Sequence, residues 1–157
     1  MKRLPKYTPA EVRNDPYGFT YKEMSEVIGE NEAKALYEEL YKQLPRKKNL
    51  SMLVKNICKS SDTEKYVYEL KDNKYIETVF IKRRDGGTVC VSTQVGCPVG
   101  CIFCESGRNG FVRNLTSSEI VQQIILLRRK VNRIVFMGMG AVSYTHLRAH
   151  ETEADLV

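Results

Sequence analysis

Three cysteines have the residue type and spacing best suited to chemistry in this chain. Cys97, Cys101 and Cys104 follow the pattern C-x-x-x-C-x-x-C, which is typical of a [4Fe–4S] cluster held by three thiolates. Three ligands on a four-iron cube leave one iron free to bind a substrate or a second cofactor. Gly96 and Gly100 allow tight backbone turns beside the cysteines, so the pattern predicts a short loop folded around the cluster.

Three other uses of these thiols stay open: a structural zinc site, a disulfide, or buried free cysteines. Zinc usually takes four ligands from two separated pairs, and the sequence shows no convincing second pair. A disulfide framework needs an oxidising compartment, but no apolar signal segment follows the basic N-terminal residues. We therefore expect reduced thiols in the cytoplasm, and the cluster is favoured over zinc and over inert thiols.

The segments around the cysteines resemble one known family. They are residues 90–97 (CVSTQVGC), the cysteine loop itself, residues 110–116 (GFVRNLT) and residues 136–140 (FMGMG). With these segments the chain resembles the radical-SAM 23S rRNA adenine methyltransferases of the RlmN/Cfr type, most specifically over residues 76–140. The cysteine spacing alone would indicate only a radical-SAM enzyme, whereas the flanking segments favour this branch.

The resemblance implies roles for residues outside the cysteine loop. Gly138, Met139 and Gly140 match the segment that holds the amino group of S-adenosylmethionine. Cys90 matches the cysteine that resolves a protein–RNA adduct by forming a transient disulfide. Glu77 matches the glutamate that accepts a proton from the substrate. The plain alternatives are a buried strand thiol for Cys90 and an exposed strand charge for Glu77.

The implied activity is methylation of an adenine carbon of 23S rRNA, with C2 favoured, and whether tRNA is a second substrate stays open. The implied cofactors are a [4Fe–4S] cluster and S-adenosylmethionine, and the implied electron donor is a protein such as flavodoxin. In the family, a 5′-deoxyadenosyl radical takes hydrogen from a methyl group on a second, C-terminal cysteine. No cysteine follows Cys104, so we expect the chain as given to lack methyltransferase activity.

Other functions stay open beside this one. One is a noncatalytic RNA-binding module whose fold is held together by an iron–sulfur or zinc centre. Another is a different radical-SAM enzyme, either a Cfr-like enzyme that methylates C8 or a glycyl-radical activase. Cys90 and Glu77 argue against the activase. Tight RNA binding without bound S-adenosylmethionine would favour the noncatalytic module.

Length and charge limit the architecture and the partners. The chain has 157 residues, whereas a complete (β/α)8 barrel needs about 250. The predicted fold class is therefore α/β, with a small helical accessory domain followed by the first βα units of a truncated radical-SAM barrel. The net charge of +6 includes basic clusters at residues 46–48, 82–84 and 128–130, which fit RNA or an ordinary solvated face. No apolar run approaches the ~20 residues of a membrane span.

The predicted divisions are residues 1–62 for the RNA-binding accessory domain, 63–140 for a β-meander and the start of the barrel, and 141–157 for a tail. Within the first division, the first 18 residues are predicted to form an extended arm. Apolar spacing predicts helices at residues 21–28, 31–44 and 51–59. Cys58, in the third of these helices, is predicted to be buried.

Alternating apolar residues predict strands from residue 65 to 70, from 75 to 81 and from 88 to 95. A capping box at Thr116 and Glu119 predicts a helix that ends near residue 130. A short apolar strand at residues 133–137 then completes a strand–loop–helix–strand unit. The cysteine loop therefore follows the C-terminal end of a strand, where barrel enzymes place their chemistry.

The end of the chain departs from the family pattern. After Gly140 the family continues Glu-Pro, whereas this chain continues AVSYTHLRAHET. That run resembles a translated sequencing adapter, and we expect residues 141–157 to be non-native. His146 and His150, beside Glu151, have the spacing of a helical metal site. We set that interpretation aside because the chain has no histidine outside this tail.

Overall fold

The computed structural model describes residues 7–42, 50–84 and 86–141. The helices in these ranges are α1 (Pro9–Asn14), α2 (Tyr21–Ile28), α3 (Glu30–Lys42) and α4 (Ser117–Leu127), with short 3₁₀ turns at Pro16–Gly18 and Glu105–Gly107. The strands are β1 (Met52–Lys59), β2 (Thr63–Leu70), β3 (Tyr75–Arg83), β4 (Gly86–Cys90), β5 (Gln94–Gly96), β6 (Phe111–Asn114) and β7 (Arg133–Val135).

The helices α2 and α3 confirm two of the predicted helices. The Thr20 side chain accepts a hydrogen bond from the backbone of Glu23, whose carboxylate accepts one from the Thr20 backbone, and this capping box begins α2. Gly29 ends α2 with a positive φ of 86°, which glycine adopts without steric cost. The helix α3 begins at Glu30, close to the predicted start, and its predicted end at residue 44 lies outside the described residues.

The predicted extended arm over the first 18 residues is wrong where the structure describes it. Thr8 and Glu11 form a capping box that begins α1, and Pro16–Gly18 forms a 3₁₀ turn. Val12 and Tyr17 are buried, and they pack in one core cluster with residues of α2 and α3. Burial of these two apolar side chains holds the segment against the helices. The sequence did not reveal this packing, because the segment has no clear hydrophobic periodicity.

The predicted helix at residues 51–59 is also wrong, because this segment is strand β1. It pairs antiparallel with β2, from Met52 opposite Leu70 to Lys59 opposite Glu64. Met52 is buried, whereas Cys58 is exposed and not a core residue as predicted. The pairing with β2 decides the conformation, since strand propensity depends strongly on the neighbouring strand. The domain division at residue 62 stays a prediction, and it falls in the turn between these paired strands.

A five-stranded sheet forms the centre of the fold, in the order β1-β2-β3-β4-β7. Its first four strands are antiparallel neighbours, and β4 and β7 are parallel, with Cys90 opposite Val135. The helix α4 connects these two parallel strands, which confirms the predicted strand–loop–helix–strand unit. It ends at Leu127, short of the predicted residue 130, because Arg128 adopts the left-handed conformation.

The third predicted strand is divided in two. The strand β4 ends at Cys90, and β5 pairs with β6 in a separate two-stranded sheet. Between them, the backbone N–H of Val91 donates to Val135, and that of Thr93 donates to Met139. The chain leaves the meander at this point because its hydrogen-bonding partners become β7 and the segment that follows it.

One face of the sheet packs against α4 and the other is half-buried. Tyr68, Ile76, Val89 and Val91 belong to the core cluster on the first face, and Leu127 of α4 belongs to the same cluster. The alternate residues point to the opposite face, because successive side chains of a strand alternate. That opposite face carries the candidate site residues described below. No helix within the described ranges is long and apolar enough to cross a membrane.

Candidate active site

Glu77 and Cys90 share the half-buried face of the sheet. Cys90 is opposite Val79 in the β3–β4 pair, and Glu77 is two residues from Val79 along β3. Residues two apart on a strand point to the same side, so the carboxylate and the thiol are diagonal neighbours. The antiparallel pairing of β3 with β4 therefore brings these two residues together.

The Cys90 thiol ends β4 in a partly desolvated position. Burial raises its pKa, and a hydrogen bond from the backbone N–H of Met137 acts in the opposite direction. Burial has the larger effect, so the pKa of Cys90 is raised and the protonated thiol is favoured. Cys90 forms no disulfide, and its strand neighbour is Val135 of the parallel strand β7.

Glu77 is 46% exposed, and its Oε1 lies 2.9 Å from Nζ of Lys65 on β2. The pKa of the Lys65 amine is raised, first by its hydrogen bond with Glu77 and then by the negative charge of that residue. Glu77 also lines a groove of about 380 Å³ together with Gly96, Asn109 and Met139. The carboxylate therefore faces a groove that also reaches the residue before the first cysteine of the loop.

The cysteine loop begins at the end of β5. Cys97 is 8% exposed, Cys104 is half-buried and Cys101 is exposed, and all three are free thiols. The backbone N–H of Cys104 donates to the carbonyl of Cys101 at 3.0 Å, which turns the end of the loop. Gly96 has a φ of 74°, and a Cβ there would lie 1.9 Å from the carbonyl oxygen of Gly110. Only glycine fits this close approach between β5 and the end of the loop.

The three thiols fit an iron–sulfur cluster by the chemistry of their donor set. No three His, Cys, Asp or Glu side chains among the described residues stand close enough to hold one metal ion. A [4Fe–4S] cube places each thiolate on a different iron, so its ligands need not converge on one point. Three free thiols on one short loop are the soft donors that such a cluster takes.

The predicted cofactor segment, Gly138 to Gly140, lies against the end of β4. The N–H of Gly138 donates to the Val91 carbonyl at 3.0 Å, and the Met139 carbonyl accepts from Thr93 at 2.9 Å. A Cβ on Gly138 would lie 2.7 Å from the Val91 carbonyl oxygen, which explains why this position is glycine. The carboxyl ends of the two parallel strands are thus held side by side.

Ser92 links the site residues and was missed by sequence reasoning. Its hydroxyl donates to the backbone carbonyl of Glu77 at 2.5 Å and accepts from the N–H of Met139 at 2.9 Å. One side chain therefore connects the strand of the candidate base to the candidate cofactor segment. A serine directly after a buried strand residue is too common to single out without the structure.

Gln123 holds Ser92 in place and was also missed. Its Oε1 accepts from Oγ1 of Thr78 at 2.7 Å and from the N–H of Ser92 at 2.8 Å. Its Nε2 donates to the Ser92 carbonyl at 2.9 Å. Gln123 is fully buried on α4, so these bonds replace those that water would make. Adjacent glutamines at positions 122 and 123 of an apolar helix were the available indication.

Arg113 fixes the strand that follows the cysteine loop. Its two terminal nitrogens lie 2.8 Å from the two carboxylate oxygens of Glu119, and its Nε lies 2.8 Å from Asp72. Burial acts to raise the pKa of Glu119, but the bonds from Arg113 and from the backbone of Thr116 bring the net pKa below its usual value. The strand β6 is thereby tied to the start of α4 and to the β2–β3 turn.

The structure therefore gathers most of the predicted site residues at one edge of the sheet. Glu77, Cys90 and the segment from Gly138 to Gly140 lie around the carboxyl ends of β4 and β7, with Cys97 close by at the end of β5. Cys101 lies on the exposed part of the loop. The two histidines of the tail lie outside the described residues.

Comparisons with known proteins show which proteins the chain resembles. The chain is 40% identical over 144 residues to the probable dual-specificity RNA methyltransferase RlmN of Thermosipho melanesiensis, covering 87% of this chain and 41% of that protein. It is 48% identical over 91 residues to the dual-specificity RNA methyltransferase RlmN of Magnetococcus marinus, covering 54% of this chain and 26% of that protein. No protein-family model matches the chain.

The fold is similar to a solved structure of the same kind. The crystal structure of a radical SAM methyltransferase from Sphaerobacter thermophilus superposes with a TM-score of 0.72 at 29% identity, covering 90% of this chain and 50% of that one. The chain spans less than half the length of the curated relatives cited above. These likenesses confirm the resemblance predicted from the cysteine flanks: the chain is related to the RlmN-type radical-SAM RNA methyltransferases and corresponds to a part of their length.

Proposed function

We propose that this chain is the cofactor-binding part of a radical-SAM methyltransferase that modifies an adenine carbon of RNA. The substrate is 23S rRNA and also tRNA, and C2 is the favoured carbon. The observation that carries the proposal is the meeting of Cys90, the Gly138–Gly140 segment and the start of the cysteine loop at the carboxyl ends of two parallel strands. Barrel enzymes place their active sites at this edge.

The cofactor-holding residues follow from this arrangement. Cys97, Cys101 and Cys104 would ligate a [4Fe–4S] cluster, and the segment from Gly138 to Gly140 would hold the amino group of S-adenosylmethionine. When bound, this pair would supply one-electron cleavage of S-adenosylmethionine, because polar methyl transfer cannot modify an aromatic carbon that is not nucleophilic. A cluster held by three thiolates fits a reducing compartment, the cytoplasm. A flavodoxin-like protein would supply the electron.

Glu77 and Cys90 act on the substrate side. Glu77 accepts the ring proton that the adenine loses, and Lys65 holds the carboxylate over the groove by its 2.9 Å ion pair. Cys90 then resolves the protein–RNA adduct by forming a disulfide with a second cysteine of the complete protein. Cys90 ends β4 opposite Val135 of β7, so the pairing of two strands holds the thiol in place before it reacts.

A reconstitution experiment tests the proposal on the chain itself. The chain is loaded anaerobically with iron and sulfide, and the iron content and charge-transfer absorbance are measured. The reduced protein is then assayed for cleavage of S-adenosylmethionine to 5′-deoxyadenosine. We expect about four irons per chain and a measurable cleavage rate. Cys101→Ala should lose the absorbance, whereas Cys58→Ala, on β1 outside the loop, should keep it.

The two possible failures separate the proposal from its alternatives. Full iron loading of Cys101→Ala would contradict the ligand set. A loaded cluster with no binding or cleavage of S-adenosylmethionine, together with tight RNA binding, would favour the noncatalytic RNA-binding module.

Variants in a longer protein that contains this segment test the two substrate-side roles. Glu77→Gln should retain cleavage of S-adenosylmethionine and block methylated product. Cys90→Ala should accumulate protein covalently bound to RNA, which denaturing gels detect. Val79→Ala is the control, because Val79 lies between the two residues on the same face. It should neither block the methylated product nor accumulate protein bound to RNA. Multiple turnovers by Cys90→Ala would overturn the role of that thiol.

A further inference from the structure

Two basic clusters that are distant in sequence meet at one groove. Lys82 and Arg83 end β3 and Arg84 comes next, whereas Arg129 and Lys130 lie just after α4. These five side chains line a groove of about 560 Å³ together with the turn between β1 and β2. The structure thus brings together two basic clusters for which the sequence left RNA contact and a solvated face both open. We call this the basic groove.

The cations of the basic groove outnumber its acids, and most of them are unpaired. Among the lining residues that the structure describes, the carboxylates are Asp62 and Glu64. Glu64 is engaged by Arg129, whose Nη2 and Nε lie 2.9 and 3.2 Å from its two oxygens. The side chains of Lys82, Arg83, Arg84 and Lys130 make no ion pair or side-chain hydrogen bond within the part of the chain that the structure describes. The groove therefore holds an uncompensated positive charge.

The lining also carries the neutral donors that accompany phosphate contacts. Hydroxyl groups of Ser60, Ser61 and Thr63 border the groove from the β1–β2 turn. Serine, threonine, lysine and arginine are the side chains that contact nucleic-acid phosphate oxygens. A concave surface with unpaired cations and hydroxyls offers several contacts to consecutive phosphates, which a single exposed lysine does not.

The basic groove lies at the opposite end of the sheet from the candidate active site. The strand β3 carries Glu77 near its start and Lys82 near its end. Five residues of strand span about 16 Å at 3.3 Å per residue. A group bound in the groove therefore does not reach the reacting base, although a folded RNA extends over more than this distance. Contacts to phosphates at such a position orient an RNA without reading its sequence.

We propose that the basic groove binds the phosphate backbone of the RNA substrate, at a distance from the base that is modified. This inference rests on the proposed function for the identity of the partner. It adds a second, sequence-independent contact region at the amino-terminal end of β4. Without the phosphate contacts, RNA affinity falls and becomes less dependent on salt, because fewer counterions are released on binding.

Fluorescence anisotropy with a labelled RNA hairpin tests the proposal on the chain itself. Affinity is measured over a range of KCl concentrations for the wild type, for the groove double variant Lys82→Ala/Arg84→Ala, and for the control Lys71→Ala/Lys74→Ala. The control removes the same charge at the exposed β2–β3 turn, at the other end of the sheet. We expect the groove variant to bind RNA about tenfold more weakly than the wild type. Its slope of log affinity against log salt concentration should be shallower by about 1 to 2. The control should stay within about twofold of the wild type.

Three results would overturn the proposal: no RNA binding by the wild type, no loss in the groove variant, or an equal loss in the control. Inorganic phosphate is the competing probe for a small-anion site. Phosphate binding that the groove variant loses, while its RNA affinity stays unchanged, would also overturn the proposal. Far-UV circular dichroism checks that each variant is folded.

The proposed function is tested by a different experiment, the measurement of cluster loading and of cleavage of S-adenosylmethionine. Both double variants leave the cysteine loop intact, so cluster loading and cleavage of S-adenosylmethionine should match the wild type. If the wild type cleaves no S-adenosylmethionine but the groove variant still loses RNA affinity selectively, the proposed function fails and the basic groove stands. If S-adenosylmethionine is cleaved normally but the groove variant keeps its RNA affinity, the proposed function stands and the basic-groove proposal fails.

Discussion

Glu77 and Cys90 lie on the same face of two adjacent antiparallel strands, one diagonal step apart. This relationship follows from the pairing of Cys90 with Val79. It places a carboxylate and a thiol on the side of the sheet that faces away from α4. Rigid strands hold both groups, which suits residues that must act on one substrate in a fixed geometry.

The reactivity of Cys90 should depend on pH in a way that reports its partial burial. Because burial raises its pKa, less of the thiol is ionised at a given pH than in an exposed cysteine. We expect iodoacetamide to modify Cys90 several-fold more slowly than Cys58 at pH 8, and the difference to shrink as the pH is raised. Peptide mass spectrometry measures both rates. In urea the two cysteines should be modified at equal rates. Equal modification rates of Cys90 and Cys58 in the folded protein would contradict the burial argument.

Gly138→Ala should damage the candidate cofactor segment. The new methyl group would lie 2.7 Å from the Val91 carbonyl oxygen and the Ser92 nitrogen, so the segment has to move away from β4. We expect destabilisation of about 1–3 kcal/mol and loss of S-adenosylmethionine binding. Calorimetric titration of the cluster-loaded protein measures the binding. Gly18→Ala is the control, because Gly18 has no positive φ and a Cβ there would lie 3.4 Å from its nearest neighbour, the Asp15 carboxylate. Unchanged binding by Gly138→Ala would contradict the proposed contact.

Gln123→Ala should destabilise the fold through unsatisfied polar groups rather than lost apolar contact. The change leaves the Ser92 N–H and carbonyl and the Thr78 hydroxyl without their buried partner. We expect the free energy of unfolding to fall by about 2–4 kcal/mol. Urea unfolding followed by circular dichroism measures this, with Lys74→Ala as an exposed control. A loss below about 0.5 kcal/mol would show that water replaces the missing bonds.

The Arg113–Glu119 pair should make stability depend on acid pH. The folded-state pKa of Glu119 is lowered against the effect of burial, so its charge stabilises the fold above the ordinary glutamate range near 4.3. That stabilisation is lost as the pH falls through the folded-state pKa. We expect Arg113→Met to be about 2 kcal/mol less stable than the wild type at pH 7, and the difference to shrink towards pH 3.

The control for this pair is Arg108→Met. Arg108 pairs with Glu105, but both side chains are about three-quarters exposed, at 74% and 78%. An exposed pair of this kind contributes little, so the control should match the wild type at both pH values. A difference between Arg113→Met and the wild type that grows on acidification would contradict the assignment to Glu119.

Local patterns predicted the elements whose stabilising contacts are local. The helix α2 was predicted with its observed bounds, because its cap and its apolar residues all lie within a few positions. The capping box of Thr116 and Glu119 likewise predicted the start of α4. The cysteine loop was recognised from spacing alone, since its three donors lie within eight residues.

Elements that depend on distant partners were predicted less well. Residues 51–59 were predicted as a helix, but their pairing with β2 makes them a strand and leaves Cys58 exposed. The predicted strand at residues 88–95 is divided because Val91 and Thr93 bond to the segment around β7. In both cases the partner lies elsewhere in the chain, and no pattern within the segment identifies it.

The sequence by itself determined which chemical groups this protein has: three thiols at cluster spacing, a further cysteine and a glutamate on strands, and a glycine-rich turn. The tertiary structure decided which of them meet. It placed Glu77 beside Cys90, connected both strands to Met139 through Ser92, and joined two basic clusters in one groove. The physical reason is that spacing along the chain sets local hydrogen bonds, whereas strand register and the burial of groups such as Gln123 arise only when distant segments pack together.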